Sequence, residues 1–80
     1  MTINNKTEKE LQIGGVYRHY KGRNYKVLYA AKHSEDLADF VVYQALYGDF
    51  GVWIRPLDMF LESVIVNGEK MARFQFISSS

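Results

Sequence analysis

The chain contains no cysteine, only one proline and one tryptophan, and no long run of apolar residues. Without cysteine, a disulfide framework and a thiolate metal site are both excluded. The longest apolar runs, such as Val27–Ala31, are far too short to cross a bilayer. Residues 1–12 are polar and lack the apolar core of a signal peptide. These absences predict a cytoplasmic protein with no membrane segment.

An excess of charge is also lacking, because the 80 residues include 10 basic and 9 acidic side chains. Such a balance argues against a strongly electrostatic nucleic-acid-binding protein. Charged residues between Gly15 and His33 are all basic, whereas those from Ser34 to Glu69 are acidic apart from Arg55. We expect these segments to neutralise one another across paired strands.

Aromatic residues are abundant, with six Tyr and five Phe, and their large rings help so short a chain to build a core. Gly14 and Gly15 separate a polar N-terminal segment from a series of strand-like segments. We therefore expect residues 1–14 to be a flexible lead-in and residues 15–77 to form a single small domain.

Segments rich in aromatic and β-branched residues predict six short strands. They lie at Val16–Tyr20, Asn24–His33, Phe40–Tyr47, Val52–Arg55, Glu62–Val66 and Glu69–Phe76. Pro56 ends the fourth strand, and the apolar spacing of Leu57, Phe60 and Leu61 predicts one helical turn. The Asn67-Gly68 pair is typical of a type I′ hairpin turn.

Five to six short strands without an amphipathic helix predict an all-β fold, a small SH3-like antiparallel barrel or roll with one short helical turn. The alternative is an OB-fold, which usually carries a helix between its third and fourth strands. Nothing between Tyr47 and Val52 has the length for such a helix, so we favour the SH3-like arrangement.

The register of the central hairpin decides which side chains face the core. Pairing Tyr47 with Val52 gives one face that is apolar apart from phenol hydroxyls: Val41, Tyr43, Ala45, Tyr47, Val52 and Ile54. The other face then carries Val42, Gln44, Leu46, Trp53 and Arg55. We predict that the first set is core, although a slip of one residue would invert the assignment.

Trp53 and Arg55 lead the candidate binding site, because Trp and Arg are enriched at the energetic centres of interfaces. In the predicted register they share a face with Gln44, and basic residues of the first two strands extend it: Arg18, Lys26 and Lys32. A three-residue turn would set Arg18 opposite Lys26, which is unfavourable unless an anion lies near or the register is wrong. Alternatively, the terminal hairpin covers Trp53 and the group has a structural role.

Four motifs resemble those of a bacterial family called domain of unknown function 1653 (DUF1653). They lie at Tyr17–Gly22, Ala31–Glu35, Val41–Tyr47 and Trp53–Phe60, and the likeness extends from Gly15 to about Phe76. The resemblance implies a small standalone bacterial protein with a compact β fold. It implies no activity.

Catalytic and metal-binding patterns are weak. His19 and His33 lack the spacing and the additional ligands of a metal site. His33, Ser34 and Glu35 are triad-like residue types, but adjacent strand positions point in different directions. We expect no enzymatic activity, no metal and no cofactor.

The sequence therefore favours a non-enzymatic interaction module that binds a protein or peptide partner. The alternative is a nucleic-acid-binding β-barrel that uses Arg18, Lys26, Lys32 and Arg55 around Trp53 as a stacking platform. The near-neutral net charge counts against the alternative.

Overall fold

The computed structural model describes residues 11–79. Within them the chain forms β1 (Val16–His19), β2 (Asn24–Lys32), β3 (Asp39–Ala45), β4 (Val52–Pro56), α1 (Leu57–Leu61), β5 (Ser63–Val66), β6 (Glu69–Ala72) and β7 (Phe74–Ser78). The predicted all-β class with one short helical turn is confirmed, with seven strands in this part of the chain.

Five strands form one antiparallel sheet in the order β4-β3-β2-β1-β7, and β5 and β6 form a separate hairpin. Strands β1 to β4 follow one another in the sheet as a meander. After α1 and the β5–β6 hairpin, β7 returns to pair with β1. This is the SH3-like arrangement that the strand pattern predicts. Strands β4 and β7 lie at opposite ends of the sheet and do not pair. The described strands therefore form an open roll rather than a closed barrel.

The prediction of one strand from Glu69 to Phe76 is wrong, because a bend at Arg73 divides it. The first half pairs with β5 through Asn67 and Gly68, whose φ angles of 52° and 81° are those a type I′ turn requires. Arg73 donates its backbone N–H to the carbonyl of Glu62 at 3.0 Å and forms an ion pair with the same residue. This anchor holds the base of the hairpin and directs the chain into β7.

Aromatic rings fill the core on the inner face of the sheet. Phe60 of α1 is fully buried and stacks on Phe74, with ring centroids 4.1 Å apart. Tyr17 and Tyr43 each meet the Phe60 ring edge-on at 5.3 Å. Leu11 is buried in the same cluster, so packing extends into the predicted lead-in, of which residues 1–10 lie outside the described part of the chain.

The predicted register of the central hairpin is wrong. Val52 lies opposite Gln44 instead of Tyr47, and Trp53 lies opposite Tyr43. The loop is longer than expected because it includes residues assigned to the end of β3. The pairing of β4 with β3 is therefore shifted by three positions. Because three is an odd number, the side chains of β4 point to the opposite faces from those predicted. Val52 and Ile54, predicted as core, are 55% and 65% exposed on the outer face.

Two further irregularities change the faces of β1 and β2. A bulge at Leu28 places Val27 opposite Tyr43 but Tyr29 opposite Val42. In a regular strand Tyr29 would share the inner face with Tyr25 and Val27, as the sequence predicts, but the bulge turns it to the outer face, where it is 66% exposed. Arg18 lies opposite Asn24 rather than Lys26 and donates from Nε to the Asn24 amide oxygen at 3.3 Å, so the expected repulsion is absent.

Candidate functional site

The open side of the roll lies between β4 and β7, and we call the group of inner-face side chains at this place the β4–β7 cleft. Its members are His19, Tyr25, Tyr43, Tyr47, Trp53, Arg55 and Phe74. The residues of β4 reach the cleft because the shifted register turns Trp53 and Arg55 toward the side of Tyr43. Strand β7 contributes Phe74, whose ring packs edge-on against Tyr25 and Tyr43.

Arg55 bridges the two edges of the cleft. Its Nε donates to the hydroxyl of Tyr43 at 3.2 Å, and its guanidinium carbon lies 5.7 Å from the centroid of the Phe74 ring. The side chain is half-buried, and no carboxylate among residues 11–79 forms an ion pair with it. The cleft thus holds a partly desolvated positive charge.

Two tyrosines form one wall of the cleft. The hydroxyls of Tyr25 and Tyr47 lie 2.6 Å apart, and the Arg23 guanidinium lies 4.6 Å from the centroid of the Tyr47 ring. Burial, followed by the hydrogen bond to Tyr47, raises the pKa of Tyr25 to about 12. Tyr25 therefore stays protonated at neutral pH and offers a hydroxyl group rather than a general base.

His19 packs between the rings of Tyr20 and Phe74, at centroid distances of 4.5 and 4.9 Å. Its Nδ1 accepts the backbone N–H of Lys21 at 3.2 Å, so the neutral ring carries its proton on Nε2. Burial lowers the pKa of His19, and the neighbouring charges of Arg55, Arg73 and Lys21 lower it further. At pH 7 this residue adds no charge to the cleft.

Trp53 marks the other end of the cleft and is 59% exposed. It borders a hollow of about 130 Å³ that it shares with Ala45, Tyr47, Gly48, Asp49 and Gly51. The exposure excludes the alternative in which the terminal hairpin covers the ring. Trp53 is thus accessible, as the contact-surface interpretation requires, but it lies on the inner side of the sheet.

The six predicted site residues do not form one surface. Trp53 and Arg55 lie together, whereas three others lie on the outer face: Arg18, Lys26 and Gln44. The side-chain amide of Gln44 donates to the carbonyl of Phe50 at 3.0 Å, and Lys32 is paired with Asp39 at 2.6 Å. The odd shift of β4 and the bulge in β2 separate these residues, so the predicted common face is wrong.

Sequence reasoning missed Tyr25, Tyr43, Tyr47 and Phe74 as site residues. Tyrosines in a strand pattern are usual core residues, and the predicted register assigned Tyr43 and Tyr47 to the core. The available signal was the number of phenol hydroxyls on that face, since buried hydroxyls need partners.

A larger groove of about 580 Å³ lies away from the cleft, beside α1. Apolar side chains line it, including Phe40, Pro56 and Leu57, and of its two carboxylates Asp39 is already held by Lys32. Within residues 11–79 no group of three or more His, Asp and Glu side chains is arranged to hold a metal ion. No helix in the same range is long and apolar enough to span a membrane.

The fold and the cleft define a small all-β domain, an open SH3-like roll whose inner face carries an aromatic cleft and Arg55, which forms no ion pair within residues 11–79. The family model described as "Protein of unknown function (DUF1653)" matches residues 15–76, and the chain belongs to this family. It is similar to the crystal structure of a DUF1653 protein from Bordetella bronchiseptica, with 32% identity and a TM-score of 0.80 over 90% of this chain and 94% of that chain. A comparison with curated proteins found no match.

Proposed function

We propose that this protein is a non-enzymatic interaction module that binds an extended segment of a partner protein along β4. The observation that carries the proposal is that β4 is an exposed edge strand. It is the last strand of the sheet, with β3 on one side and no described strand on the other. Its first three residues, Val52, Trp53 and Ile54, are each more than half exposed.

An edge strand presents unpaired backbone N–H and C=O groups, which an extended peptide can pair with as an added strand. Proteins usually protect such edges with charged residues or proline. Residues 51–54 have neither, and Arg55 and Pro56 stand only at the end of the strand. Trp53 supplies the kind of large, accessible ring that anchors interfaces.

Two further features support binding rather than catalysis. The raised pKa of Tyr25 keeps this residue protonated at neutral pH, and Nδ1 of His19 already accepts a backbone N–H. Neither arrangement provides a base poised beside a nucleophile.

The related crystal structure comes from a bacterium, and we propose that this module acts in the bacterial cytoplasm.

The nucleic-acid alternative has weaker support. It needs Arg18, Lys26 and Lys32 beside Trp53, yet two of these lie on the outer face and Lys32 is neutralised by Asp39. Among residues 11–79, the cations near Trp53 do not form the continuous basic track that follows a phosphate backbone.

The proposal is tested by selecting binders from a library of random ten-residue peptides on the purified protein. Calorimetry then measures the affinity of the recovered peptides. Trp53→Ala should weaken binding at least tenfold, the usual effect of removing an interface anchor. Tyr29→Ala is the matched control, because Tyr29 is an aromatic residue of similar exposure on the outer face.

Hydrogen exchange locates the bound segment. Backbone amides of β4 that do not bond to β3 should become protected when peptide is added. The proposal would be contradicted if Trp53→Ala and Tyr29→Ala weakened peptide binding equally. It would also be contradicted if peptide protected only the amides of another strand from exchange. A protein that enriches no peptide but binds single-stranded DNA or RNA would contradict it as well.

A further inference from the structure

Arg55 differs from the other basic residues of the described chain in its position. Lys32 and Arg73 have carboxylate partners, and Arg18, Lys21, Arg23 and Lys70 are exposed to solvent. Lys26 is half-buried without a carboxylate partner, but it lies on the outer face, away from the cleft. Arg55 is half-buried, and its described partners are the Tyr43 hydroxyl and the Phe74 ring. A cation that has lost part of its hydration without gaining an ion pair is favourable to an incoming anion.

The contacts of Arg55 also fix its geometry. The hydrogen bond from Nε and the ring of Phe74 orient the guanidinium plane, so little side-chain entropy remains to be lost on binding. No hydrogen bond within residues 11–79 engages the two Nη groups. This leaves donors whose spacing matches the two oxygens of a carboxylate.

The charge around the cleft fits a single negative charge. Arg73 is paired with Glu62, and burial and neighbouring cations keep His19 neutral at pH 7. At the Trp53 end, Arg23 and Asp49 carry opposite charges. Lys21 also acts on His19 but is exposed to solvent, so the half-buried positive charge is that of Arg55. A single such charge suits a carboxylate better than a phosphate of nearly two negative charges.

The spacing of Trp53 and Arg55 sets the pattern that a bound strand must have. The two residues alternate onto the same face of β4, roughly 7 Å apart along it. Residues two apart on an added strand have the same spacing and also share a face. We propose, building on the function proposed above, that Arg55 binds a carboxylate side chain two positions from the apolar residue that packs on Trp53.

The test compares peptide selections on the wild-type protein and on Arg55→Met, which keeps an apolar side chain over Phe74. Wild type should enrich Asp or Glu two positions from a large apolar residue, in either order. Arg55→Met should retain the apolar preference and lose the acidic one. Thermal melting confirms that the variant is folded.

Affinity measurements on one recovered peptide complete the test. Changing its Glu to Gln should weaken binding to wild type by about tenfold or more, the value of a charge-assisted hydrogen bond. The same change should have little effect on binding to Arg55→Met, and Arg55→Lys should recover only part of the difference.

The outcomes separate this inference from the proposed function. Peptides that depend on Trp53 but show no acidic preference overturn the inference and leave the function standing. A preference three positions away, or tighter binding of a phosphoserine peptide than of its Glu counterpart, also overturns it. Failure to enrich any peptide on the wild-type protein overturns both.

Discussion

Replacing Trp53 by alanine should affect binding far more than stability. The ring is 59% exposed, so folding covers about two fifths of it, or about 100 Å² of a side chain that offers about 250 Å². At about 25 cal/mol per Å² this is about 2.5 kcal/mol. The unfolded chain already covers part of that area and alanine keeps its Cβ, which leaves about 1–2 kcal/mol.

Phe60→Ala provides the matched contrast, because Phe60 is fully buried and stacked on Phe74. Removing a core phenylalanine costs about 3–5 kcal/mol. A domain of this length has a total stability of about 4–12 kcal/mol, so Phe60→Ala should be barely folded or unfolded.

Urea unfolding followed by circular dichroism measures both variants on one scale. Trp53→Ala should keep a cooperative transition with a free energy of unfolding within about 2 kcal/mol of wild type, since only a partly covered ring is lost. If Trp53→Ala lowered the free energy of unfolding as much as Phe60→Ala does, the assignment of Trp53 to an accessible edge would be refuted.

Four further predictions concern titration, turns and metal content. The pKa of Tyr25 is raised to about 12, so the neutral form is favoured by folding; its contribution to stability is retained below about pH 10 and lost as the pH rises through 12. Tyr47→Phe should lower the pKa of Tyr25, which absorbance titration of the phenolate measures. The pKa of His19 is lowered, so its contribution is complete above about pH 6.5 and declines as the pH falls below that value; urea unfolding at pH 7 and pH 5 should show a smaller loss in His19→Gln than in wild type. Gly68 has a φ of 81°, so Gly68→Ala should cost about 1 kcal/mol, whereas Asn67→Gly should be nearly neutral, and thermal melts compare the two. Elemental analysis of protein purified without chelator should find less than about one metal ion per chain, and stoichiometric zinc or iron would contradict this.

Local patterns were enough to predict the helical turn, the Asn67-Gly68 hairpin and the strands, apart from the division of the last predicted strand at Arg73. These features depend on residues that are close in the sequence, such as Pro56 ahead of Leu57 or two turn residues between alternating strands. The resemblance to DUF1653 is confirmed over the range that the motifs indicated.

The candidate site was harder to predict, because it depends on register. Pairing Val52 with Gln44 rather than Tyr47 moves every side chain of β4 to the other face, yet a flexible loop with two glycines leaves several pairings open. The bulge at Leu28 likewise leaves no mark in a sequence where Leu28 and Tyr29 are both apolar. The sequence-based prediction of a binding site included Trp53 and Arg55 but left out their tyrosine neighbours.

The position of Phe74 in the sequence affects when the aromatic core can form. It lies in β7, the last strand of the described chain, yet its ring contacts His19, Tyr25, Tyr43 and Phe60, which precede it by 14 to 55 residues. During synthesis on the ribosome, Tyr17 and Tyr43 can pack on Phe60 of α1, but the ring of Phe74 is missing from the core until β7 has emerged. Contacts so distant in sequence also slow folding once the chain is free. The nascent chain therefore leaves part of its aromatic core exposed until β7 emerges, and such transiently exposed hydrophobic surface is prone to aggregation.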